Sequence, residues 1–304
     1  MTGRLAGGKP ALSLVVCTRD RAERLPALLD SLRGIRTERP WEVVLVDSAS
    51  SDATPEVLAA LASGQTFGPL VEIATVREAE PGLARARNAG LAASRAPVVA
   101  FTDDDCYPEP DLADRWLEVF EDANIGWGSG RILLHDPLDA PVTIRLEQQE
   151  LLFDPGDYVR PGVVNGANIA VRRTVLTDIG GFDERLGPGT RFNFEDVDMA
   201  ARASAAGHRG GYFPGPTVRH HHGRRPGPEL DALLASYDHG RGAYWGSLLL
   251  RPGYRRYAVR NLLVSFVRKP APVVRRELEG MRDYLRIGQA ATAPFAPRSR
   301  SAVR

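Results

Sequence analysis

SLVVCTRDRAERLPALLDSLRGIRTERPWEVVLVDSASSD, residues 13–52, contains a whole structural unit. Residues 13–17 form a short apolar run that ends at the polar Thr18-Arg19-Asp20. Leu25, Leu28, Leu29 and Leu32 then recur at spacings of three and four, the period of a helix with one apolar face, and Gly34 stands where such a helix is capped. Residues 41–46 are apolar apart from Glu42 and lack the alternation of a half-exposed strand, so the spacing predicts a strand buried on both faces, as in a parallel sheet. The polar turn 47–52 follows, with Asp52 placed to N-cap a helix over 55–61 that carries Pro55 in its first turn. Strand, helix and strand in this order are a βαβ unit.

The rhythm continues outward. Residues 70–76 read as a third strand, the Ala-rich 82–94 as a helix and 97–101 as a fourth strand, which runs into Asp103, Asp104 and Asp105. This predicts an α/β fold with a Rossmann-like, mostly parallel central sheet flanked by helices. Ligands of open α/β sheets bind outside the carboxyl ends of the strands. Asp20, Asp47 and the aspartate triplet all fall just past predicted strand ends, so three polar clusters are expected to converge on one crevice.

The second half is less regular. Helices are expected over 111–120, 173–179 (ending at Gly180-Gly181) and 195–206 (closed by Gly207), and strands over 126–134, 163–171 and 212–218. Asn165-Gly166-Ala167-Asn168 interrupts the second of these strands, and His220-His221-His222 follows the third. Residues 229–245 and 254–289 look helical, broken at Pro252 and at 270–272, and make a helical C-terminal appendage. No internal repeat is visible.

Composition bounds the function classes. The chain has 304 residues, 43% hydrophobic and 25% charged, which suits one large domain with an appendage. Its longest apolar runs fall short of a membrane span, and the apolar stretch before Cys17 covers only about six residues, too few for a secretory signal. A cytoplasmic protein is expected. The two cysteines, Cys17 and Cys106, are too few for a disulfide framework and read as reduced thiols. The net charge of +1 conceals an asymmetry: residues 251–304 hold 13 Lys+Arg against 3 Asp+Glu, while the first 250 hold 26 against 35. An acidic body argues against nucleic acid as a partner, because phosphate binding needs a basic face. The basic end suggests an anionic surface.

Four clusters can carry chemistry, and each also has a plainer reading. Three consecutive carboxylates after a buried strand are costly unless a cation neutralises them, and an all-oxygen set suits Mg²⁺ or Mn²⁺. The alternative is a solvated acidic turn. Glu195-Asp196-Val197-Asp198 opens a helix, where acids suit the helix dipole, or where one of them is a general base. Of the three histidines at most one or two can face one ion, because adjacent side chains diverge. Arg85 and Arg87 sit near a helix start and either bind a diphosphate or cover an exposed face. No GxGxxG follows the first strand, so a Rossmann dinucleotide site is poorly supported.

Taken in order, these pieces resemble the family 2 glycosyltransferases, inverting enzymes of the GT-A fold. The resemblance runs through 13–21, Val46 to Asp52, Ala86-Arg87-Asn88-Ala89-Gly90, 101–105, 165–173, Gly180-Gly181-Phe182-Asp183-Glu184, 195–202 and Pro214 to His220, about two-thirds of the chain. It implies a GT-A catalytic domain over 11–225, with a nucleotide-binding half to about 105 and an acceptor half beyond. A flexible N-terminus over 1–10, a helical region over 226–290 and a disordered tail over 291–304 complete the expected organisation.

The resemblance also implies roles. Thr18, Arg19 and Asp47 would hold the nucleotide, with Asp47 accepting from a ring N–H as in enzymes that prefer uridine. Arg87 would touch the donor diphosphate. Asp103 and Asp105 end the family's DxD motif, with Asp104 between them, and would face donor and metal together with His220. Asn165, Gly166, Ala167, Asn168 and Glu195 would shape the donor and acceptor loop, and Asp196 would be the catalytic base. The implied partners are a nucleotide-sugar donor, a divalent metal (Mn²⁺ or Mg²⁺) and a sugar or lipid-linked acceptor. Ser48 and Ala49 depart from the family, which often has a second Asp or Asn and then a Gly there. A nucleotidyltransferase of related fold would want a Gly-rich loop after the first strand, which is absent here. A non-catalytic sugar-nucleotide-binding module would not need Asp196. Residues 254–289 place Leu262, Leu263, Phe266, Val267, Leu278, Met281, Leu285 and Ile287 among arginines. That segment either docks peripherally on the anionic inner membrane face or packs on the catalytic domain or on a second subunit of a homodimer.

Overall fold

A computed structural model describes residues 8–64, 67–68 and 70–288. The expectations for residues 1–7 and 289–304 lie outside these described residues. In chain order the elements are β1 (Leu12–Thr18), α1 (Leu25–Arg33), β2 (Trp41–Ser48), α2 (Thr54–Gly64), β3 (Val71–Glu78), α3 (Leu83–Ala93), β4 (Val98–Asp103), β5 (Cys106–Pro108) and α4 (Leu112–Val119). They continue with β6 (Ile125–Leu134), β7 (Leu151–Phe153), β8 (Asn168–Arg172), α5 (Arg173–Asp178), α6 (Glu195–Ala205) and β9 (Arg209–His220). The chain closes with α7 (Pro228–Leu249), α8 (Arg255–Arg268) and α9 (Ala271–Gly288).

One sheet holds these strands in the order β3-β2-β1-β4-β8-β6-β9-β5, with β7 paired to β9. β3, β2, β1 and β4 are mutually parallel, and every residue of β1 and β2 is buried, as their uninterrupted apolar runs require. Parallel pairing stops there. β8 is antiparallel to both β4 and β6, while β6 and β9 are parallel, so the second half of the sheet is mixed. β5 and β7 were not anticipated, because three residues are too few to display a strand period. Of the expected strand over 163–171 only the part from Asn168 joins the sheet, beginning where Asn168 pairs with Thr102; the residues before it turn toward the cleft.

The Ala-rich composition of α3 has a packing cause. It crosses β1 and β2 so closely that a Cβ on Gly90 would collide with Val15 and lie 3.0 Å from Val46 Cγ2. Its adjacent Arg87 and Asn88 point to different places. Asn88 Nδ2 donates to Phe182 O at 2.9 Å and Asn88 Oδ1 accepts from Phe182 N at 2.8 Å. The amide thus fastens the turn that Gly180 and Gly181 make at φ 75° and 74°.

The C-terminal helices pack on the body. α7 and α9 approach so closely that a Cβ on Gly242 would strike the Glu277 backbone and one on Gly280 would strike that of His239. Asp198 of α6 is fully buried, accepting from Arg202 Nε at 2.7 Å and from Arg251 Nη2 at 2.5 Å. That ion triad ties the end of α7 to α6. No helix among the described residues is long and apolar enough to cross a membrane.

Candidate active site

Strand register assembles the cleft. Thr18 pairs with Asp47 and Cys17 with Asp103, so the carboxyl ends of β1, β2 and β4 lie side by side. They form one wall of a cleft of about 670 Å³, a volume suited to a small ligand. Residues 164–167 and the start of α6 face them, and Tyr237 and Arg241 of α7 line one side.

The aspartate triplet splits three ways. Asp104 accepts from Thr18 Oγ1 at 2.6 Å, and burial pushes its carboxyl up to about 6 against that bond. Asp103 accepts from Arg87 Nη2 at 3.2 Å. Asp105 Oδ1 lies 3.2 Å from His220 Nε2. Asp103, Asp105, Cys106 and His220 each offer one ligand atom, all within 4.8 Å of one another. Two carboxylates and an imidazole suit a hard divalent cation. Cys106 does not, because burial holds its thiol protonated and the Sγ leans on Asp105 Oδ1 at 3.9 Å. Cys17 also reaches the cleft, but burial pushes it up to about 12, so it is an inert thiol.

Alternation along the end of β9 sorts the histidines. His220 faces the aspartates, while His221 turns to the other side, 3.3 Å from the Tyr107 hydroxyl and against the His135 ring. His222 is buried beside Asp139, at 3.6 Å.

Opposite the triplet, α6 starts from Phe194 in the left-handed region, φ 83°. Asp196 Oδ2 accepts from Gly166 N at 2.6 Å and Oδ1 from Val197 N at 2.7 Å. Burial raises its pKa despite these bonds and despite Arg87, which makes it a stronger base than a free aspartate. Burial likewise raises Glu195, next to the Asp196 charge.

Arg87 joins the two walls. Its Nη1 donates to Glu195 Oε1 at 2.7 Å and its Nη2 to Asp103 and, at 3.1 Å, to Gly166 O. A Cβ on Gly166 would lie 2.5 Å from Nη2, which explains the glycine. Arg87 lines the cleft but is 1% exposed, and its donors are engaged by protein oxygens of both walls.

The other expected residues divide. Thr18, Arg19, Asn165, Gly166 and Ala167 line the cleft, Arg19 with its side chain toward Asp20 at 3.5 Å. Asn165 Nδ2 donates to Thr143 O at 3.0 Å, and Ala167 O accepts from Thr102 Oγ1 at 2.7 Å. Asn168 is a correction: it is buried off the cleft, where it bonds Trp116 Nε1, Arg131 O and Pro216 O and knits three segments. Asp47 is buried at the β2 end. Its Oδ1 accepts from Ser50 N at 3.0 Å and its Oδ2 has no hydrogen bond among the described residues, with Arg77 Nε 3.8 Å away. Ala49 adopts φ 56°, the conformation that favours the family's glycine.

Thr143, Arg224, Tyr237 and Arg241 also line the cleft and were not anticipated. No motif marks them. Arg241 is aimed by Glu277 Oε1 at 2.6 Å, a partner on another helix that local sequence does not reveal.

The chain is similar to known proteins in sequence and in fold. The family described as Glycosyl transferase family 2 matches residues 13–136. A pre-mycofactocin glycosyltransferase of Mycobacterium tuberculosis is 32% identical over 219 residues, covering 69% of this chain and 43% of that protein. The chain thus spans under half the length of that relative. Glycosyltransferase AglE of Haloferax volcanii is 25% identical over 290 residues, covering 93% of this chain and 88% of that protein. The solved mannosyltransferase PcManGT of Pyrobaculum calidifontis, in complex with GDP-Man and Mn²⁺, superposes with a TM-score of 0.60 at 19% identity, covering 93% of this chain and 87% of that one. Over residues 13–136 the chain is a family 2 glycosyltransferase domain, and its mixed α/β sheet with a helical C-terminus is the GT-A fold.

Proposed function

We propose that the protein is an inverting glycosyltransferase that moves a sugar from a nucleotide-sugar donor, a UDP-sugar first, to an acceptor hydroxyl. One observation carries this: a single cleft sets the raised-pKa Asp196 on one wall and the Asp103, Asp105 and His220 cluster on the other. Asp196 takes the proton of the acceptor hydroxyl. The hydroxyl oxygen bonds to the anomeric carbon as the bond from that carbon to the diphosphate breaks, and the nucleoside diphosphate leaves with the electron pair. A divalent ion, Mn²⁺ or Mg²⁺, held by Asp103, Asp105 and His220 would neutralise charge on the diphosphate. Arg87 holds Glu195 and Asp103 in register beneath the donor. The Oδ2 of Asp47, which accepts no hydrogen bond among the described residues, supports recognition of a base through its ring N–H.

A thermal-shift comparison of UDP, GDP and their sugars, with and without Mn²⁺, tests the donor reading. UDP with Mn²⁺ should raise the melting temperature of the wild type, and Asp105→Ala should abolish the Mn²⁺-dependent part. A retained Mn²⁺-dependent shift in that variant would remove Asp105 from the site.

The acceptor reading is a lipid-linked sugar, supported by α8. Ala258 and Ser265 face the body, whereas Leu263, Phe266 and Val267 are 61%, 60% and 83% exposed. Arg255, Arg256 and Arg260 flank that apolar stripe, and Arg268 closes the helix. Apolar and cationic groups on one exposed face suit an anionic bilayer surface, each cation contributing on the order of 1 kcal/mol. Flotation with phosphatidylserine-containing vesicles is the test. The full chain should float at low salt, and a Leu263→Glu, Phe266→Glu, Val267→Glu variant should not. Equal flotation of the two would discard α8 as the docking face.

A further inference from the structure

We propose that Thr143 is the positioning residue that keeps His220 in the tautomer able to bind a divalent cation. The inference rests on the reading of Asp103, Asp105 and His220 as a cation site.

Thr143 has φ 58°, in the left-handed region. That conformation is a genuine outlier for a β-branched residue and persists only where the surroundings enforce it. Here they do. Ala140 N donates to Arg224 O at 2.8 Å on one side, and Ile132 and Arg145 exchange backbone bonds of 3.1 and 2.9 Å on the other. Asn165 Nδ2 holds the Thr143 carbonyl itself. The clamp sets Thr143 Oγ1 3.2 Å from His220 Nδ1.

The proton count decides what this contact does. The hydroxyl has one proton, and it goes to Val142 O at 2.5 Å. Toward His220 the oxygen therefore presents a lone pair, and Nδ1 must be the donor. A neutral imidazole with its proton on Nδ1 carries the free lone pair on Nε2, the nitrogen that faces Asp105 Oδ1. Lone pair and carboxylate then form two acceptors 3.2 Å apart, which suits a cation bound by both. A hydrogen bond to the outer nitrogen of a ligating histidine is the usual means of fixing its ring and tautomer.

His222 shows the opposite arrangement. Its Nδ1 accepts from Arg224 N at 3.0 Å, so in the neutral ring the proton sits on Nε2 and that nitrogen cannot ligate. Of the three histidines, only His220 combines the facing and the tautomer of a ligand.

Mn²⁺ alone, titrated into the whole chain and followed by the paramagnetic resonance of the free ion, tests the proposal without any turnover. Thr143→Val, which keeps the shape and loses the hydroxyl, should weaken Mn²⁺ binding about 10–100-fold, and Thr143→Ser should restore it to within about threefold of wild type. Thr143→Gly relaxes the left-handed backbone. It should melt no lower than wild type yet bind Mn²⁺ as poorly as the valine variant. In a His220→Ala background, Thr143→Val should add less than about a twofold further loss, because the two residues act as one unit. Valine and glycine variants that bind like wild type would overturn the proposal, and so would an undiminished loss in the His220→Ala background. A wild type that binds no Mn²⁺ would instead sink the cation site itself.

Discussion

Two stretches of this chain look alike: Asp103-Asp104-Asp105 after β4 and Glu195-Asp196-Val197-Asp198 at the start of α6. Each packs three carboxylates into a few residues, and each resolves them into three different environments. In the first, the partners are Arg87, Thr18 and His220. In the second they are Arg87, the Gly166 amide and the pair Arg202 with Arg251. What separates the acids is the backbone that carries them. A strand end and turn fan the first set around the cleft mouth. A helix turns the second set through the cleft wall, so that Glu195 points to Arg87, Asp196 into the cleft and Asp198 into the core. Among the described residues, Arg87 bonds to a member of each set. Equal composition therefore produced a candidate ligand set in one place, and a candidate base with its structural neighbours in the other.

The largest effect expected from breaking this division is at Asp196. Asp196→Asn keeps the size and one of the two amide bonds but cannot take a proton, so transfer should fall about 10²–10⁴-fold while donor affinity stays within about threefold. Initial rates and donor titration measure both. Turnover within threefold of wild type would move the base elsewhere, with Glu195 the next carboxylate to test.

Arg87→Met tests the link between the sets. Removing one partner of a buried charge cluster typically costs about 3–5 kcal/mol, because Glu195 and Asp103 are left facing each other without a cation. Urea unfolding of the variant measures it. A loss below about 1 kcal/mol would mean that the two acids are neutralised by some other route.

Acid titration separates Asp198 from its neighbours. Burial opposes its ionisation, yet Arg251 and Arg202 lower its pKa from 3.8 to about 2. A carboxyl depressed in the folded state contributes stability that is complete above its unfolded pKa and is lost as pH falls through the folded one. About 2 kcal/mol should therefore disappear between about pH 4 and pH 2. Asp198→Asn should flatten the urea midpoint over that window. Glu195 has the opposite sign: its raised pKa means that its burial costs more stability as pH rises above its unfolded value. Unchanged acid sensitivity in Asp198→Asn would place the titrating group elsewhere.

The smallest effect is expected at Ala49. Glycine accepts φ 56° without strain but gains freedom in the unfolded chain, so Ala49→Gly should stabilise by no more than about 1 kcal/mol, read from the same urea curves. A loss of stability would show that the turn after β2 is held by contacts of the Ala49 methyl.

The parallel half of the fold was legible because buried parallel strands are written as unbroken apolar runs and their helices as three-four periods. Strand ends then located Asp47 and Asp103–Asp105, and the order of motifs pointed to Asp196. Only tertiary structure assigned the partners. Arg87 became an internal tie because Glu195, more than a hundred residues away, comes within 2.7 Å. Asn168 left the cleft because β8 begins at it. His220 was separated from His221 and His222 by strand alternation and by protons that Thr143 and Arg224 commit. α8 turned Phe266 and Val267 outward because Ala258 and Ser265 fit the body. Periodicity is a property of neighbouring residues and survives in one dimension, whereas hydrogen bonds, burial and charge pairing depend on distances that only the folded chain defines.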